Sequence, residues 1–264
     1  MEKAGITIFF TFLKYNLGGK EEMNKVIADI DWKQLYVFSS NQAILGLCFY
    51  GIEKLGNEYS EELKRNPIER ELMMTWMGAT QQIRRHNMKV NAVASKFLPD
   101  GIGEIAIPTM AFNVVYQLTH LCHHFFDEGI GMRQIIDYYY VVSMLNVNCE
   151  MLTWLPKELK YMGLWKFAGA VMYVLHEALG LSEEKMIAPM DEKRGKLLLA
   201  EILNGGNFGQ HFTKYGHFTQ QGMAKKYFLK IWRNMHFVMY YPAEALSEPI
   251  FRTWHFFWRM KNKK

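Results

Sequence analysis

Apolar residues recur three and four positions apart along almost the whole of this chain, and that period commits it to packed α-helices. Leu72, Met73, Trp76, Ile83, Met88, Val90, Val93 and Phe97 form one such run. Alternation of period two is confined to Glu104-Ile105-Ala106-Ile107, which Pro108 bounds. The spacing therefore predicts a mainly α, multi-helix bundle with at most a small residual strand near 104–107. Half of the 264 residues are hydrophobic, enough to bury a sizeable core, and only 22% are charged, which excludes a disordered chain.

Helix ends are marked along the chain. Asp31 reads as an N-cap with Gln34 closing a capping box, and Trp32, Leu35, Tyr36 and Ser39 then share a face. The apolar pattern continues as a buried helix from Asn41 to Leu55, which Gly56 and Asn57 end. Pro67 suits the first turn of a long helix that stops before Pro99. Two helices, Thr109–Phe126 and Ile130–Leu145, are joined by Asp127-Glu128-Gly129, with Gly129 in the left-handed position and Ile130 as its apolar contact. Further helices read at 150–162, 164–179, 191–203, 221–240 and 243–260. The organisation expected is an N-terminal helical part at 1–97, a turn-rich junction at 98–108 and a C-terminal helical part at 109–264, the two parts forming one compact unit.

The richest titratable cluster is His120-Leu-Cys-His-His-Phe-Phe-Asp127. His120 and His124 are four apart and share a helical face. That spacing occurs in the His-Glu-x-x-His metal motif, but Leu121 stands where its general base belongs. No third ligand lies at a standard spacing, so no metal and no cofactor are expected. Asp127 ends a helix, where the dipole disfavours a carboxylate, and so requires a cationic partner. Arg133 and Asp137 lie four apart on the next helix. The expectation is a hydrogen-bonded network of His120, His123, His124, Asp127, Arg133 and Asp137 that fixes how the two helices pack and can border a ligand cleft. No residue is assigned a catalytic role.

Other motifs read structurally. Asp29 and Asp31, two apart, point the same way only on a strand, and Asp31 is already a cap. Gly205-Gly-Asn-Phe-Gly209 follows a helix, which favours a C-cap and tight turn over a phosphate cradle. Residues 249–264 combine a stripe of Ile250, Phe251, Trp254, Phe257 and Trp258 with Arg252, Arg259, Lys261, Lys263 and Lys264. That stretch can pack on its own domain or contact an anionic membrane surface. The odd count of cysteines (Cys48, Cys122, Cys149) predicts reduced thiols. The early apolar run Ile6–Leu13 is too short to span a bilayer and lacks a cleavage site, so no signal peptide is expected and the cytoplasm is the expected compartment. A net charge of +5 is a mild excess, and no nucleic-acid-reading motif is present, so the expected partner is a protein or a small molecule.

Five sets of segments stand out together: Pro108-Thr-Met-Ala-Phe-Asn113, the run from His120 through Gly129-Ile-Gly-Met-Arg133 to Asp137, Asp31-Trp32 with the Asn41-Gln42 helix, Gly205 to Gly209, and Tyr241-Pro-Ala-Glu244 with Pro249 to Trp254. In combination they resemble the family of uncharacterised bacterial nucleotidyltransferases. The resemblance implies nucleotidyl transfer from a nucleoside triphosphate, with Mg²⁺ held by strand carboxylates. Family members carry those carboxylates as a Gly-Asp-x-Asp strand in a small α/β core, placed between the long helix and the Pro108 segment. Here only residues 98–107 occupy that place, and no Gly-Asp-x-Asp occurs anywhere. The resemblance thus implies a catalytically inactive helical scaffold that binds a partner or a nucleotide-like ligand. Two alternatives stand beside it: an active, Mg-dependent enzyme with carboxylates drawn from Glu104, Asp127 and Asp137, and a peripheral membrane or assembly protein using its C-terminus.

Overall fold

The structure, a computed structural model, describes residues 3–80, 109–146, 150–206 and 231–261, and every regular element among them is helical. The expected strand at 104–107 and the junction at 98–108 lie outside the described residues, as do Cys149 and residues 81–97 of the long helix. No described helix is long and apolar enough to cross a membrane.

In chain order the helices are α1 (Lys3–Asn16), α2 (Trp32–Asn41), α3 (Leu45–Glu58), α4 (Ser60–Arg65), α5 (70–80), α6 (Met110–Asp127), α7 (Met132–Ser143), α8 (Met151–Tyr161), α9 (Trp165–Leu179), α10 (Glu192–Gly205), α11 (231–235) and α12 (Pro242–Lys261). At the centre is α9, and its sequence says why. It is apolar nearly all the way round, with Phe167, Ala168, Ala170, Val171, Met172, Val174, Leu175, Ala178 and Leu179 buried. It packs against α1, α7, α8 and α10. One buried cluster runs without a break from Phe9 in α1 to Ala245 in α12. Close approach of α10 to α9 depends on Gly195: a Cβ there would lie 2.3 Å from Tyr173 Cδ1 and 2.5 Å from Tyr173 Cβ.

Several ends match the expected signals. Asp31 caps α2 through the Gln34 N–H at 2.9 Å, although the Gln34 side chain returns to the Asp31 carboxylate rather than to its backbone. Thr109 caps α6 through the Phe112 N–H. Gly129 adopts φ 96° and its N–H closes on the His124 carbonyl at 2.7 Å, while Ile130 is buried. Gly206, with φ 62°, ends α10.

Four boundaries differ. The helix expected to run on from Asn41 breaks at 42–44, where Ala43 takes the left-handed region at φ 57°. A non-glycine residue there costs roughly 1–2 kcal/mol, and the break turns the Gln42 side chain into the core, where its hydrogen bonds offset that cost. At its other end α3 runs through Gly56 and Asn57 to Glu58. Pro67 precedes α5 instead of starting it. The Asn66 side chain donates to the Ile27 and Ile30 carbonyls and the Asn66 main-chain carbonyl accepts from the Trp32 indole, which holds the segment non-helical. Finally, residues 221–230 of the helix expected over 221–240 lie outside the described residues, and the rest is helical at 231–235 and then tightens into turns, with Arg194 Nε donating to the Tyr240 carbonyl at 3.0 Å.

The replacement Gly195→Ala tests the α9–α10 contact. Tyr173 Cβ is fixed by its own backbone, so rotation of the ring cannot relieve the clash. A loss of about 1–3 kcal/mol in urea unfolding is expected.

Candidate functional site

The turn between α6 and α7 is buried from Gly129 through Met132. A buried turn cannot give its backbone groups to water, so each requires a protein partner. Gln134 accepts the Gly131 N–H through Oε1 at 2.7 Å. The Met132 N–H, at the first position of α7, goes to Gln42 Oε1 at 2.8 Å. Gln42, only 1% exposed, also donates through Nε2 to the Ile202 carbonyl in the last turn of α10. Because Gly129 closes on His124, the Phe125 carbonyl is turned to another donor, and Arg233 Nη2 supplies it at 2.7 Å.

Arg233 is 1% exposed. Its Nε lies 3.8 Å from Glu201 Oε2, and its guanidinium sits 5.4 Å from the centre of the Phe237 ring. Phe237 stacks on Phe125 at 4.8 Å, and Tyr241 meets Phe126 edge-on at 5.5 Å, so apolar rings wall the ion pair. Beside them Cys122 is a free thiol, pushed up to about 12 by burial and then by Glu244.

Of the expected cluster, His120 and His124 are brought together, with their Nε2 atoms 3.0 Å apart. The other nitrogen of His124, Nδ1, is 3.5 Å from Glu128 Oε2. Burial lowers the affinity of His124 for a proton, the neighbouring His120 lowers it further, and Glu128 opposes both. His123 is exposed, with its ring 5.8 Å from that of His124. Asp127, at the end of α6, acts on His124 by its charge. Arg133 and Asp137 lie on the exposed face of α7, and among the described residues neither hydrogen-bonds to a histidine. The Asp137 carboxyl is raised by desolvation, which Arg133 only partly offsets.

Asp31 is occupied as the α2 cap, and exposed Asp29 borders a cleft of about 490 Å³ between α1 and α2, walled by Ile8, Phe9, Phe12 and Leu35. Among the described residues no three His, Cys, Asp or Glu side chains gather in a way that would hold a metal ion. The groups that matter most to the core, Gln42, Glu201 and Arg233, escaped sequence reasoning. Gln42 follows the polar stretch Ser39-Ser40-Asn41, whereas Glu201 and Arg233 are charged residues among apolar ones, Arg233 standing four before Phe237 on one face. That placement is the only signal they give. No protein-family model matches this chain, and no curated protein or solved structure matches it either.

Truncating the two buried caps tests their weight. Arg233→Met leaves Glu201 without its buried cation and the Phe125 carbonyl without its donor, and a loss of roughly 3–5 kcal/mol in urea unfolding is expected. Gln42→Met strands the Met132 N–H and should cost about 1–3 kcal/mol. An unfolding free energy within about 0.5 kcal/mol of the native value for both would show that the turn does not depend on them.

Proposed function

We propose that this chain is a catalytically inactive relative of the nucleotidyltransferases, a cytoplasmic helical scaffold that binds a partner protein or a nucleotide-like ligand without transferring a nucleotide. The observation that carries this reading is where the innermost polar side chains spend their hydrogen bonds. Gln42 and Arg233 both cap main-chain groups of other helices. Catalysis draws on donors preorganised toward a substrate, whereas these donors are committed to holding the fold. The sequence adds the missing Gly-Asp-x-Asp carboxylates, on which the family's Mg²⁺ chemistry depends.

Titration calorimetry with Mg-ATP and Mg-CTP, run beside a product assay on candidate acceptor proteins, tests this. No transfer is expected. Binding without turnover selects the ligand role, and neither binding nor turnover selects the partner role. Robust transfer that Asp127→Ala or Asp137→Ala abolishes, with the fold retained, overturns the reading in favour of the active enzyme.

One observation favours a second role, contact with an anionic membrane surface. On α12 the stripe of Ile250, Phe251, Trp254, Phe257 and Trp258 is 50–71% exposed. Residues 250–264 carry five Lys and Arg and no Asp or Glu. An aromatic face beside unopposed positive charge suits the headgroup region of an anionic bilayer. The full chain should co-sediment with phosphatidylserine vesicles and not with phosphatidylcholine vesicles, and deletion of 250–264 should abolish binding while preserving the helical signal. Unfolding on deletion would instead make the stripe part of the core.

A further inference from the structure

Phe112, Tyr116, His120 and His124 stand at successive four-residue steps along α6, and their rings form a ladder. Phe112 and Tyr116 are stacked 5.4 Å apart, and Tyr116 and His120 are stacked at 6.1 Å, each pair 10° from parallel. The last step breaks the pattern: the His124 ring stands at 89° to that of His120, with centroids 4.3 Å apart. That rotation points His124 Nε2 at His120 Nε2, 3.0 Å away.

Two ring nitrogens this close need one positive centre between them, a proton or a metal ion. Glu128 biases how His124 is presented. Its carboxylate lies 3.5 Å from Nδ1, and that negative charge favours the tautomer with its proton on Nδ1 and an Nε2 lone pair aimed at His120. A carboxylate behind a histidine is the arrangement that orients metal-ligating imidazoles and raises their basicity. The span also fits. Two metal–nitrogen bonds of about 2.0–2.1 Å, opened to an angle between square and tetrahedral, separate the nitrogens by roughly 3.0–3.3 Å.

We propose that His120 and His124 chelate a divalent transition metal of the zinc class through their Nε2 atoms, with Glu128 as the orienting carboxylate. Imidazole pairs select zinc, copper and nickel over magnesium and calcium. Binding needs no net proton release: His120 carries its proton on Nε2 when it bridges to His124 and on Nδ1 when the metal takes that place. His120 is exposed, so an ion enters from solvent and water completes its coordination. The Tyr116 stack holds the His120 plane in advance. Asp127, seven positions beyond His120, lies on the same helical face. This inference is independent of kinship with the nucleotidyltransferases.

Zinc titration of the full chain by calorimetry in a non-chelating buffer tests it. One equivalent of Zn²⁺ should bind saturably, and excess Mg²⁺ should not compete. The substitution His120→Ala, at an exposed position, should weaken binding by at least about 10-fold while circular dichroism stays native, and Glu128→Gln should weaken it by roughly 10-fold. The chain holds nine histidines, so the variants decide the assignment. Zinc bound as tightly by His120→Ala as by the native chain, or no saturable binding at all, overturns the site.

Discussion

The constraint on which the rest of this structure depends is the buried turn between α6 and α7. Backbone groups removed from water require partners, and a turn supplies few of its own. Gln42 and Arg233 reach it from 90 and 108 positions away in the chain. Each is drawn into the core to serve it, and each brings an element along. Gln42 enters because α2 breaks before Ala43, which sets how α3 leaves α2. Arg233 carries with it Glu201 of α10 and the Phe237 ring. The turn therefore orders helices that lie far from it in the chain.

Around that turn, ordinary hydrophobic burial completes the fold. Because α9 has apolar side chains on almost every side, it is stable only where helices cover all of them. Small residues decide how near those helices come. Gly195 lets α10 lie on the Tyr173 ring, and Gly169 leaves room for the Pro189 carbonyl at the α10 entry. Asp191 then caps α10 through the Arg194 N–H while its carboxylate holds the Arg194 guanidinium, whose Nε reaches the Tyr240 carbonyl. Burial pushes the Asp191 carboxyl up, but those Arg194 contacts outweigh it and hold it below its ordinary value.

The candidate site was legible in part. Four-residue spacing placed His120 and His124 on one face of a helix, and Gly129 marked the turn after it. What spacing does not encode is ring orientation, and the 89° rotation of His124 against the stacked ladder makes the pair converge. Nor does it show where Arg133 and Asp137 point. A register at four on the facing helix suggested that they meet the histidines, whereas α7 turns Ile135, Ile136 and Tyr138 inward and leaves both charges on its exposed face.

By itself the sequence determined the helical class, most helix boundaries in the C-terminal half, and the caps at Asp31, Gly129 and Gly206. These follow from local physics: apolar period, short polar side chains at N-termini, and a glycine where φ is positive. Only the tertiary structure decided that Gln42, Glu201 and Arg233 are core residues, that α9 is central, and that the apolar stripe of α12 faces outward. Those facts depend on which carbonyl, amide or ring arrives from a distant segment. A polar residue inside an apolar run looks the same in sequence whether water or a buried helix end receives it.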